Sequence, residues 1–143
     1  MVIKQISIFV ENKKGRMAEI TKVIADANVD IRALSVADTT DFGILRLIVD
    51  TPDEAVKALK DAGMTVSLTD VIAVGLDDRP GAFAGVVKLL SDAGINIEYM
   101  YAFITRTEGK AYVIMRLEDP QTGIDMLKKS GVHMLSSEEI YNL

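Results

Sequence analysis

Apolar and polar residues alternate through Ile6, Ile8 and Val10, and a period of two marks a strand with one buried face. The polar turn Asn12-Lys13-Lys14-Gly15 follows. Met17, Ile20, Ile24 and Ala27 then recur at spacings of three, four and three, which is one face of a helix. Asn28 tolerates the left-handed conformation that ends a helix, and Val29-Asp30-Ile31 opens a second strand. A hairpin turn is expected near Thr40-Asp41-Phe42-Gly43, and a third strand over residues 44–49. Pro52 suits the start of a second helix, where its missing N–H is harmless. Val56 and Leu59 give that helix an inward face, Gly63 ends it, and a last strand is expected near residues 65–68.

The pattern then starts again. Gly15 and Gly81 lie 66 positions apart (81 − 15), and at that offset Ala18, Lys22, Asp26, Ala27 and Ile31 meet identical residues. After the hairpin the offset is 68, where Pro52, Leu59, Lys60 and Gly63 meet Pro120, Leu127, Lys128 and Gly131. The second copy has an alternating strand at Val71, Ala73 and Gly75 or their neighbours. Its turn is Asp78-Arg79-Pro80-Gly81, and its helix face is Phe83, Val86, Leu90 and Ala93. Gly94 ends that helix, Ile95-Asn96-Ile97 starts a strand, and a hairpin near Thr107-Glu108-Gly109-Lys110 leads into a strand over residues 111–117. The second helix follows Pro120 and turns Ile124 and Leu127 inward, and a final strand is expected near residues 132–135. The order βαββαβ, twice, is the split-βαβ plan. The expected fold class is therefore α+β: two ferredoxin-like domains, residues 1–69 and 70–143, with antiparallel sheets, helices on one face, and the domains packed side by side.

Composition narrows the chemistry. The 143 residues include no cysteine, which removes disulfides, thiolate metal sites and cysteine nucleophiles. A net charge of −5 supplies no basic stripe for nucleic acid. No apolar run approaches the ~20 residues of a membrane helix, and the alternating N-terminus is unlike a signal peptide. A soluble cytoplasmic protein is expected. Domains of about 70 residues each bury only ~60% of their unfolded surface, which favours packing of one on the other.

Catalytic constellations are missing from the pattern. His133 is the only histidine, and it reads as a residue of the last strand. No nucleophile elbow or phosphate loop appears. Asp38, Asp41 and Asp53 read as solvated surface, so no catalytic residue, metal or cofactor is assigned. Gly15 and Gly81 each precede a helix, where free N–H groups favour an anion such as a carboxylate. The same glycines could serve only the tight strand-to-helix turn. Tyr99, Tyr101 and Phe103 alternate on one strand face, readable as sheet or dimer packing or as a ligand cage.

Asp78-Arg79-Pro80-Gly81-Ala82-Phe83, followed by Ala93-Gly94-Ile95-Asn96-Ile97, resembles the signature of the ACT domain. Asn12-Lys13-Lys14-Gly15-Arg16-Met17 with Ala27-Asn28-Val29-Asp30-Ile31 is a looser version. The third-strand region from Asp41 through Leu47 is similar to that of such domains, so the resemblance spans the chain as two copies. It implies an allosteric regulatory protein that binds a free amino acid and acts on a metabolic enzyme, and the exposed apolar face of Tyr99, Tyr101 and Phe103 would promote a homodimer. The alternative is a non-binding subunit whose repeats only dimerise or dock on an enzyme.

In ACT domains the ligand often lies between neighbouring domains, touching the glycine turn of one and the second-strand start of the other. The resemblance therefore implies a site of Asn12, Lys14, Gly15, Arg16 and Met17 with Asn96 and Ile97. Asn96 reads equally well as a strand-start residue. A second site would join Asp78, Pro80, Gly81 and Ala82 with Asp30 and Ile31. Asparagines both donate and accept, as a zwitterion requires, whereas paired aspartates only accept. The Asn12 site is expected to be competent and the Asp78 site weak, empty or filled by a cation.

Overall fold

The computed structural model describes residues 1–38, 41–103 and 106–143. Thr40, at the expected first hairpin, lies outside the described residues. The chain forms two compact units. One comprises Lys4–Thr69 and Asn142; the other comprises Met1–Ile3, Asp70–Tyr141 and Leu143.

In the N-terminal unit, β1 (Ile3–Glu11), α1 (Arg16–Asp26), β2 (Ile31–Asp38), β3 (Phe42–Val49) and α2 (Pro52–Asp61) lead into β4 (Val66–Asp77). The strand order is β2-β3-β1-β4. Antiparallel register sets Ile6 beside Leu47 and Ile8 beside Leu45. Residues paired across strands share a face, so these side chains form one apolar surface. Ile20 and Ile24 of α1 and Ala55 and Leu59 of α2 close over it as one core. Met17, the first residue of the expected inward face, is instead 38% exposed.

The C-terminal unit continues β4 with α3 (Ala82–Asp92), β5 (Ile97–Phe103), β6 (Lys110–Leu117), α4 (Pro120–Lys129), β7 (His133–Met134) and α5 (Ser137–Tyr141). Its order is β7-β4-β6-β5. Ile72, Val74, Leu76, Val113, Met115 and Leu117 meet Val86, Leu90, Ile124 and Leu127 in its core. Asn28, Gly63, Gly94 and Gly131 have positive φ where the helices end, as their sequence positions require.

Two expectations change. The strands expected near residues 65–68 and from Val71 are one uninterrupted twelve-residue strand, β4. Its helix-facing residues are the neighbours Ile72, Val74 and Leu76. Val71 and Ala73 are buried as well, outside that core. The final strand is only two residues long, and the chain then forms α5. There Ser136 N–H donates to Glu139 Oε2 at 2.7 Å, and Glu139 N–H to Ser136 Oγ at 3.1 Å. That reciprocal capping box starts a helix where a strand would otherwise continue. Leu135 lies against the Gly75 side of β4, away from α3 and α4, so not all cover of this sheet lies on one face.

Candidate functional site

The site grows from the end of β1. Asn12 N–H donates to the Asp41 carbonyl at 3.0 Å, Lys13 N–H to Glu11 at 3.0 Å, and Arg16 N–H to Lys13 at 3.3 Å. These bonds fold the polar turn tightly onto the start of α1. Gly15 is the N-cap residue at φ +83°, a conformation that disfavours any Cβ. No side-chain hydrogen bond caps α1; Arg16 N–H donates back to the Lys13 carbonyl and Glu19 N–H to the Gly15 carbonyl.

Beside this turn lies a cleft of about 390 Å³. Val10, Met17, Val36, Phe42 and Gly43 supply apolar wall, and Glu11, Asn12, Lys13 and Asp38 supply polar groups. Strand register brings these together: Gly43 pairs with Val10 on one side and with Asp38 on the other. Lys13 stands 3.0 Å from Glu11 and, by hydrogen bonding and charge, holds that carboxyl below its ordinary range. Of the residues expected from the sequence, Asn12 and Met17 line the cleft. Lys14 and Gly15 shape the turn beside it, and Lys13 lines the cleft where Lys14 was expected. Arg16 turns its guanidinium onto Glu19 at 2.7 Å.

Asp30 and Ile31 lie at the far end of α1, about 16 Å away for its 11 residues. Asp30 N–H donates to Asp50 Oδ1 at 2.9 Å, and its carboxylate pairs with Arg32 at 3.2 Å. Ile31 packs against the core of its unit.

The C-terminal unit repeats the turn with different chemistry. Asp78 N–H donates to Gly109 at 2.9 Å, Ala82 N–H to Arg79 at 3.3 Å, and Gly81 has φ +89°. Pro80 completes the turn, and Ala82 begins α3. Lys110 pairs with Asp77 as Phe42 pairs with Glu11, and Ala111 pairs with Leu76 as Gly43 pairs with Val10. Lys110 Nζ lies 2.6 Å from Asp77 Oδ1, and this hydrogen bond and charge keep the carboxyl below its usual range. Asn96 and Ile97, at the start of β5, line another cleft of about 390 Å³ with Val87, Ser91, Gly94 and Ile95.

Tyr99, Tyr101 and Phe103 register beside Arg116, Ile114 and Tyr112, on the sheet face opposite the helix core. Phe103 and Tyr112 rings are 5.4 Å apart, consistent with packing along the sheet. In the N-terminal unit the Phe9 and Phe42 rings are 4.9 Å apart, and both are exposed with Ile44. His133 is exposed, 3.9 Å from Glu139. Among the described residues no group of His, Asp and Glu could hold a metal, and no helix is long and apolar enough to cross a membrane.

A family model described as an ACT domain pair matches residues 1–143. Among solved structures, protein BT0572 from Bacteroides thetaiotaomicron is 45% identical with a TM-score of 0.95, the match covering 100% of this chain and 98% of that one. The ligand-free regulatory subunit of aspartate kinase from Thermus thermophilus is 18% identical with a TM-score of 0.66, over 89% of this chain and 91% of that one. A structure of aspartokinase alpha and beta subunits is 18% identical with a TM-score of 0.56, over 91% and 96%. At 18% identity these two speak for the fold alone. No curated protein matches the chain.

Proposed function

The chain belongs to the ACT domain-pair family, and on that premise we propose that it is a regulatory protein that binds a free amino acid at the glycine turn of its N-terminal unit. The observation that carries this reading is the cleft of about 390 Å³ beside the uncapped start of α1. The N–H groups of an uncapped helix start, with the Asn12 amide, suit a carboxylate. Asp38 is an acceptor for the ammonium group. Asn96, at the second-strand start, is proposed to contact the same class of ligand, as the family pattern implies. The turn from Asp78 to Ala82, whose neighbouring Asp77 is already paired with Lys110, is proposed as the weaker partner. Residues 1–69 and 70–143 are the proposed ACT modules. Binding changes the contacts the protein makes with a second copy or with a metabolic enzyme.

A thermal-shift screen of the twenty amino acids tests the reading. A ligand at a hundredfold excess over Kd stabilises by roughly 2.7 kcal/mol. Asn12→Ala is expected to abolish the shift, and Asp78→Ala to spare it. Exposed Phe9, Phe42 and Ile44 favour the second reading, a subunit that only dimerises or docks. That reading stands if no amino acid shifts the melting temperature and an enzyme co-purifies.

A further inference from the structure

The sheet order ends on β2, and among the described residues β2 pairs with β3 alone. An edge strand presents a row of backbone N–H and C=O groups to any strand that can match it. No lysine or proline blunts this edge, and its β-bulge lies at the start, between Ile31 and Ala33. Leu34 and Val36 register beside the core leucines Leu47 and Leu45, yet they are 57% and 49% exposed. The helix layer of the unit thus stops short of this edge.

The strand is also complementary to itself. In an antiparallel copy with Ser35 opposite Ser35, Leu34 meets Val36, Ala33 meets Ala37 and Arg32 meets Asp38. Residues directly opposite share a face, so apolar groups meet in the middle and opposite charges meet at both ends. A slip of two residues sets Leu34 against Asp38 one way and Val36 against Arg32 the other. Arg32 Nη1 lies 3.2 Å from Asp30, but a guanidinium has five N–H donors and can serve a second carboxylate. The other end of the sheet order, β5, lacks this match. Glu98 stands there in the place of Arg32, is paired with Arg116 at 3.1 Å, and would meet Ala102 about a centre at Met100.

We infer that β2 is the docking edge for a second copy of this chain, paired antiparallel about a twofold axis at Ser35. A twofold contact repeats each pair, giving two Leu34–Val36 contacts and two Arg32–Asp38 ion pairs. The second copy is the one the proposed function invokes, but this contact needs no bound amino acid and is tested without one.

Sedimentation equilibrium of the full chain is expected to show a dimer. Leu34→Lys sets a charge against Val36 twice, and Asp38→Lys turns both ion pairs repulsive. Each is expected to weaken association at least about tenfold. Both side chains are exposed, so circular dichroism is expected to show an unchanged fold. Met100→Lys, on the other edge, is expected to leave association unchanged. The chain has no cysteine, so Ser35→Cys introduces a single thiol. Opposed residues of antiparallel strands have Cα atoms about 4.5–5.5 Å apart, within disulfide reach. Mild oxidation is expected to link Ser35→Cys chains in pairs and to leave Ala102→Cys chains unlinked.

A wild type that stays monomeric throughout the concentration range overturns the contact. So does a dimer that Met100→Lys weakens and Leu34→Lys does not. Unchanged association in Asp38→Lys, or Ser35→Cys chains that stay unlinked, overturns the register centred on Ser35.

Discussion

At the scale of single residues, glycine has two different roles in this chain. Gly15 and Gly81 have no atom within 4 Å of where a Cβ would be, so their positive φ alone demands glycine. Gly123 is the reverse case. It lies inside α4, where alanine would ordinarily gain up to ~1 kcal/mol of helix propensity. A Cβ there, however, would run into Leu117 Cδ1, and Leu117 is buried. Gly123→Ala is therefore expected to destabilise by about 1–2 kcal/mol, because overpacking a filled core outweighs the propensity gain. Urea denaturation checks the sign, and a stabilised variant would refute it. Neither role is visible from composition. The left-handed glycines were legible because each ends a turn or helix pattern, whereas the crowding at Gly123 depends on where β6 lies.

At the scale of elements, start signals decide where helices begin. Pro52 and Pro120 occupy the first turns of α2 and α4 as their sequence positions indicate. Asp119 also caps α4, its carboxylate accepting Thr122 Oγ–H at 2.6 Å and Thr122 N–H at 3.1 Å. Those hydrogen bonds, the hydroxyl first, hold the carboxyl below its ordinary range. A depressed folded pKa means that the unfolded chain binds the proton more tightly. The cap's contribution is therefore complete above the ordinary value of about 3.9 and is lost as pH falls toward the lowered one. Asp119→Asn keeps an acceptor but removes the titration. Its stability is expected to fall less than that of the wild type between about pH 4 and the lowered value. Chemical denaturation across that range measures it, and identical acid limbs would count against the cap. The α5 start carried a comparable signal in Ser136 and Glu139, which the strand pattern around His133 obscured.

At the scale of the whole molecule, the division into units does not follow the chain ends. Met1–Ile3 belong with the C-terminal unit. Val2 packs against that unit's core and its carbonyl accepts Ser137 Oγ–H at 3.1 Å, and Ile3 is fully buried. Deleting residues 1–3 is expected to destabilise the C-terminal unit by roughly 2–4 kcal/mol, from the apolar burial lost. Amide exchange should quicken in β4 from Ile72 onward and in α5, with α1 and α2 less affected. Acceleration confined to α1 and α2 would contradict this assignment.

The sequence by itself determined the repeat, the two βαββαβ patterns, the helix ends and the positions of both glycine turns. Those features follow from local periodicity and from backbone conformations that only certain residues tolerate. Strand pairing decided the rest. Val36, Asp38, Phe42 and Gly43 are separated along the chain from Asn12 and Met17, and only the register of β1, β3 and β2 gathers them around one cleft. The same register sets Lys110 against Asp77 in the other repeat. Residues that never adjoin in sequence meet across a sheet because hydrogen-bonded strands fix their partners, and that is where two similar turns acquire unlike chemistry.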